Sequence, residues 1–236
     1  MKIIILILCL IISSPVIAKE KGVKPKIILH EIGEKHKDSW VFGVEANQFE
    51  SATYLNPSIT FSSKYDIDVS IISQNIPVWK NGAQEFQDDT YFAVSKTFDF
   101  YGTNIIIGSQ NGYPLYVEDN SKFGPGKMHQ FYYFTSVKQI NYWLKIHGGS
   151  YYINSSLSTT TNYFGGIGGF EIKYDDFIIS GDYISAHSSI SGASITAGYL
   201  VEPWFNPYIG VGVPETNSGN EFYGVVGFSI STGSLK

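Results

Sequence analysis

From Ser39 onward, apolar side chains recur at every second position. Trp40, Phe42, Val44 and Ala46 alternate with Gly43, Glu45 and Asn47. Leu55, Pro57, Ile59 and Phe61 alternate with Asn56, Ser58, Thr60 and Ser62, and Ile67, Val69 and Ile71 with Asp68 and Ser70. The rhythm returns at Tyr142, Leu144 and Ile146, at Ala193, Ile195, Ala197 and Tyr199, and at Phe222, Gly224, Val226, Phe228 and Ile230. Weaker versions lie near 90–98, 104–110, 130–137, 162–172, 177–186 and 205–213. Successive side chains of a strand point to opposite faces, so period two marks a sheet with unlike surroundings on its two sides. The pattern predicts about twelve strands of roughly nine to eleven residues, the length a tilted strand needs to cross a bilayer.

The connections have a rhythm of their own. Short turns are expected at Ser63–Asp66, Asp99–Gly102, Lys138–Gln139, Lys173–Asp176 and Val201–Trp204. Between them lie longer polar segments at 75–89, 111–129, 148–161, 187–191 and 214–220. Aromatic residues gather at the strand ends: Trp40, Tyr65, Phe100, Trp204 and Phe205 on the turn side, and Tyr116, Phe131, Tyr151, Tyr163 and Phe222 on the loop side. Two such girdles are expected where a sheet meets two membrane interfaces.

Composition points the same way. Charged residues make up 16% of the chain, against roughly 25% in an average globular protein. Aromatic residues also reach 16%, and there are 24 glycines. A formal net charge of -5 and the lack of a basic run leave no footprint for nucleic acid. The start of the chain reads as a secretory signal: Met1-Lys2, an apolar run from Ile3 to Ile12, a break at Ser13-Ser14-Pro15, and Val16-Ile17-Ala18 before cleavage after Ala18. The single cysteine, Cys9, falls inside that run, so the mature chain has no disulfide and no thiolate metal site. Residues 19–38 are Lys-rich and read as a periplasmic leader, disordered or folded as a short plug, and 232–236 as a tail.

Over roughly residues 39–231 these patterns resemble the Gram-negative outer-membrane β-barrel superfamily. The resemblance implies an all-β, antiparallel up-and-down transmembrane barrel with both ends in the periplasm. It also implies contact with outer-membrane lipid and lipopolysaccharide, and insertion by the barrel assembly machinery. One departure stands out: such chains often end on an aromatic residue, whereas here the last one, Phe228, precedes Lys236 by eight positions. A soluble periplasmic β-sandwich or lipocalin-like barrel would also alternate. Against it stand the scarcity of charge and the regular exchange of short and long connections.

The polar stripe opposite the apolar one carries Glu45, Asn47, Asp68, Gln74, Lys145, His147 and Asp182, with Glu171 a further member. On a barrel these side chains face the lumen, either bracing it or lining a selective pore. The default reading is therefore a small channel or structural barrel without enzymatic activity, cofactor or metal. A second reading rests on His187-Ser188-Ser189, which resembles the His-x-Ser pair on the outer face of outer-membrane phospholipase A and the lipid A deacylases. The resemblance implies Ser189 as nucleophile and His187 as its base. If Lys173–Asp176 forms a hairpin that sets residue 172 opposite 177, Asn162 falls opposite His187 and could orient it. In the phospholipase the asparagine follows the serine, and in the deacylases it adjoins it. Here Ile190 follows Ser189 and Asn162 lies upstream, which leaves a polar loop as the plain alternative. Asp88-Asp89 and Glu118-Asp119-Asn120 read as solvated loop acids without calcium-loop spacing, and Gly165-Gly166-Ile167-Gly168-Gly169 as part of a strand.

Overall fold

The computed structural model describes residues 38–50, 52–74, 76–80, 87–117, 128–155, 157, 163–186, 188, 190–216 and 221–234. The expected signal sequence and residues 19–37 of the expected Lys-rich leader lie outside them. Thirteen strands follow in chain order: β1 (Ser39–Gln48), β2 (Ala52–Ser62), β3 (Ile67–Gln74), β4 (Ile76–Lys80), β5 (Gln87–Phe100), β6 (Thr103–Val117), β7 (His129–Gln139), β8 (Leu144–Ile153), β9 (Phe164–Tyr174), β10 (Phe177–Ile184), β11 (Gly192–Tyr199), β12 (Phe205–Pro214) and β13 (Tyr223–Ser231). β3 and β4 are two halves of one stave. Both pair with β2, and the register slips between them and again between Thr53 and Tyr54. Each stave pairs antiparallel with the next, and β1 pairs with both β2 and β13. The result is a closed, twelve-stave, all-antiparallel barrel. Closure through β1 removes the edges along the main ladder, and β4 pairs with β2 alone among the described residues.

Register explains the period-two pattern. Trp40, Phe42, Val44 and Ala46 stand beside Phe61, Ile59, Pro57 and Leu55 of β2, and Phe42, Val44 and Ala46 beside Ile230, Phe228 and Val226 of β13. Followed around the sheet, this face carries Ile71, Phe92, Ile107, Phe134, Ile146, Ile179, Ile195 and Ile209, all exposed. The other face holds the buried positions, among them Tyr54, Thr60, Ser70, Ile72, Tyr91, Gln110, Thr135 and Val225. The outside is thus a continuous apolar wall, far beyond the patch a water-soluble monomer exposes. That excludes the soluble-domain alternative. Outward rings pack side by side near the turn end, with centroid separations of 5.0 Å for Trp40 and Phe61 and 4.9 Å for Phe177 and Tyr199.

Several expected details give way. Phe131 and Tyr151 do not belong to a loop-side girdle: they face inward and are 1% and 2% exposed. A one-residue error moves a strand residue to the opposite face, and the outward aromatics there are Tyr132, Tyr152 and Phe164. Tyr116 has no described side chain. Strands also run further into the loop side than polarity suggested. β8 reaches Ile153, β6 reaches Val117, and Asp88-Asp89 lie within β5 at a bulge rather than in a loop. Ladder hydrogen bonds tolerate polar residues when one face is wet, so polarity alone misplaces these ends. The β1–β2 connection spans only 49–51, which breaks the short-long rhythm at its first beat. Glu118-Asp119-Asn120 fall outside the described residues.

The turns follow local chemistry. Lys138 and Gln139 belong to β7, and the reversal comes at 140–143. There the Asn141 side-chain oxygen accepts from the N–H groups of Trp143 and Leu144 at 3.0 and 2.9 Å, a side-chain mimic of a backbone turn. Tyr101 and Gly102 both have positive φ, the two-residue hairpin geometry that suits strand twist. The β9–β10 turn is Asp175-Asp176, with Asp175 at φ 52°. So tight a turn sets Tyr174 opposite Phe177 and Ile172 opposite Ile179, not residue 172 opposite 177.

A charge placed on the outer wall tests its contact with hydrocarbon. Phe134→Arg, at the middle of β7, is expected to lower stability by ~2–4 kcal/mol in reversible unfolding from lipid vesicles. An undiminished midpoint would mean that this face does not meet lipid.

Candidate functional site in the barrel interior

The pairings set Glu45, Asn47, Asp68, Gln74, Lys145, His147, Glu171 and Asp182 on the interior side of their strands. They do not form one cluster. Lys145 and Glu171 are direct cross-strand neighbours, with Nζ 2.8 Å from Oε1. His147 Nε2 lies 3.0 Å from Asp182 Oδ1, within ion-pair distance when the imidazole is protonated, though not aligned as a hydrogen bond. Tyr208 donates its phenol to Glu45 at 3.1 Å. Hydroxyl pairs continue these rows, Thr60 with Ser70 at 2.8 Å and Ser180 with Thr196 at 2.9 Å.

One geometric device recurs. Tyr208 pairs across Gly227, and Gly227 pairs with Glu45 on the far side. The phenol therefore lies flat over the glycine to reach an acid two strands away. His147 crosses Gly169 to Asp182 in the same manner, and Tyr133 crosses Gly108 towards Ser95, with Asp68 next in the row. Tyr151 lies over Gly165 and donates to the Ser185 carbonyl. Neighbouring strands are ~4.8 Å apart, so a ring can lie along the wall only where the strand beneath has no Cβ. A Cβ on Gly227 would stand 2.5 Å from Tyr208 Cζ, and one on Gly169 2.5 Å from His147 Cε1. Gly148 on the outer face differs: the nearest atom to such a Cβ is 3.8 Å away.

Among solved structures, the chain aligns with the KdgM porin at a TM-score of 0.61 and 10% identity, covering 80% of this chain and 98% of that one. The KdgM porin in complex with disordered oligogalacturonate aligns at 0.57 and 13% identity, over 81% and 98%. Outer membrane phospholipase A from Escherichia coli aligns at 0.49 and 10% identity, over 83% and 97%. No protein-family model and no curated protein matches the sequence. The fold is that of an outer-membrane β-barrel.

At the loop end of the barrel the interior turns apolar. Leu157 and Ile190, from two connections, are buried with Phe131, Tyr151, Ile153 and Ile167. Serines hold the second connection in place. Ser188 and Ser191 are fully buried with their Oγ atoms 2.8 Å apart, and Ser191 donates to the Ser185 carbonyl at 3.1 Å. Phe49 packs on Tyr54 and Tyr223 across the mouth. His187, Ser189 and Asn162 lie outside the described residues. Two supports for bringing them together on the outer face change. The β9–β10 register differs by two residues, and strand alternation ends at Ile184, with Ala186 at φ 75°. Among the described residues, no three His, Cys, Asp or Glu gather as a metal site would require.

Sequence reading passed over Tyr133, Tyr208, Gln110, Thr135 and Asn206, all on the interior side. Parity finds Tyr208, Gln110 and Asn206, whereas in β7 Tyr133 and Thr135 share their phase with Phe131 and Val137 while Ser136 and Lys138 take the other, so only the register places them. Their pairing with particular glycines requires the register. Gly227→Ala is expected to cost ~1–3 kcal/mol by forcing the Tyr208 ring off Glu45, while Gly148→Ala is close to neutral. Urea unfolding of the two variants side by side checks this, and equal midpoints would remove the packing role of the interior glycines.

Proposed function

We propose that the protein is a small passive channel of the outer membrane. In this reading it is secreted by its N-terminal signal, inserted by the barrel assembly machinery, and bounded by lipid and lipopolysaccharide on its apolar wall. The observation that carries it is the state of the interior amides and hydroxyls. Gln74 Oε1 and Nε2, Gln110 Nε2, Asn47 Oδ1, Asn206 Oδ1 and Thr135 Oγ1 are buried and have no hydrogen-bond partner among the described residues. A buried polar atom left dry is costly, so in native proteins such atoms are met by protein or by ordered water. Several of them along the inside of one barrel are sites for interior water, and a file of water that joined them would be a conducting path. The shared fold with a porin agrees with this reading.

Leu157 and Ile190 set the width of that path at the loop end. An apolar ring there resists wetting and keeps conductance low. Purified protein in planar bilayers is expected to give small, discrete conductance steps, and Ile190→Ser larger ones. A correctly folded barrel that stays silent in both forms would count decisively against the channel.

A further inference from the structure

We infer that the passage through this barrel is eccentric and follows the inner wall of β10, β11 and β12, a proposal that rests on the channel reading and names the residues a solute passes. Two cross-strand hydroxyl pairs carry it. Thr60 and Ser70 join β2 to β3 at 2.8 Å, and Ser180 and Thr196 join β10 to β11 at 2.9 Å. Each member stands two or three residues from the turn end of its strand, and the two pairs lie across the barrel from one another in the strand order. Chemistry and height match, but the surroundings differ. Thr60 and Ser70 are buried, at 2% and 8% exposure, whereas Ser180 and Thr196 are half-buried.

The leaning rings account for the difference. Tyr133 reaches from β7 towards Ser95, with Asp68 next in the row, and Tyr208 reaches from β12 across Gly227 to Glu45. Both lean to the β1–β5 side. His147 comes from the other direction and stops at Asp182. Between Asp182 and Tyr208 the wall carries Ser194, Thr196 and Gly210, with no side chain larger than threonine. Gly227, Gly108 and Gly165 each lie beneath a tyrosine ring, but the atoms nearest a Cβ on Gly210 are the Ile195 oxygen and Thr196 Cγ2 of β11. Two unmet polar atoms border the same wall. The His147 side chain is nine-tenths buried with its Nε2 unbonded beside Asp182, and Asn206 Oδ1 on β12 has no hydrogen-bond partner among the described residues. Such atoms call for water, and the Asp182 side chain, 39% exposed, shows that there is room for it.

The test uses single cysteines in the full-length chain, with its one native cysteine, Cys9, replaced by serine. Ser194→Cys and Thr196→Cys sit on the open wall, and Thr60→Cys and Ser70→Cys on the sealed one. Each variant is first checked for the wild-type unfolding midpoint in vesicles, and two per wall guard against one that fails to fold. In planar bilayers, a charged, water-soluble methanethiosulfonate is expected to lower conductance about twofold or more at Ser194→Cys and Thr196→Cys, and to leave Thr60→Cys and Ser70→Cys unchanged. Equal block from both walls, block from the Thr60 and Ser70 side alone, or no block at all overturns the eccentric route and leaves the channel standing. A folded barrel that never conducts overturns the channel and the route together.

Discussion

Rings lying over glycines hold the inside of this barrel together. A closed wall of twelve staves encloses too little room for side chains to stand upright everywhere, so large ones must lie along the wall. The Cβ of the adjacent strand blocks that posture, and glycine removes the block. At Tyr208–Gly227–Glu45 and His147–Gly169–Asp182 the same step does two things. It clears the axis, and it carries a polar atom across one strand to a partner on the next. At Tyr208 packing and polar satisfaction are therefore one interaction, and at His147 the ring is brought within ion-pair distance of the acid. A β-methyl at either glycine would disturb both at once.

The same constraint separates the interior into zones. Where a ring ends on an acid or a serine, the wall is polar, with Glu45 buried and Asp182 and Ser95 half-buried. Where rings meet one another, as Phe131 stacks on Tyr151 at 5.4 Å, the interior is apolar and closed by Leu157 and Ile190. The two zones lie at different heights because β7 and β8 change character along their length: Lys145 and His147 near the turn, Tyr151 and Ile153 near the loops. A path through the barrel would cross a charged stretch and then an apolar one. In the channel reading, the apolar stretch is what resists the entry of water.

Much of the architecture could be read from alternation alone, because lipid and lumen impose opposite demands on successive residues. Trp40, Phe42, Ile59, Ile195 and Val226 announce the outer wall without any knowledge of partners. Parity also placed Glu45, Asp68 and Lys145 on the inner side, where the pairings set them. What stayed hidden depends on register and on turn geometry. Phe131 and Tyr151 look like girdle residues until their parity is fixed by Tyr132 and Tyr152 beside them. The Asn141 turn and the left-handed Asp175 move strand ends by a residue or two. Shifts of that size leave the barrel intact and change which side chains meet, so the fold was easier to read than the site.

The faces of the wall also divide the work of identity and function. An outer wall needs only to be apolar in its belt and aromatic at its rims, so barrels of unrelated sequence converge on it. That is how a chain 10% identical to a porin can share its fold. The inner wall is under no such common demand, since each side chain there answers to its neighbours and to whatever passes. Lys96 and Asp68 make the point on adjacent strands. Lys96 turns outward to the rim, and Asp68 turns inward beside Ser95, one residue from Lys96 in sequence. Exchanging their parity would keep net charge and composition the same while moving an acid to the outer wall and a lysine to the inner one. Function in such a barrel is therefore carried by the phase of a few polar residues, which neither composition nor fold records.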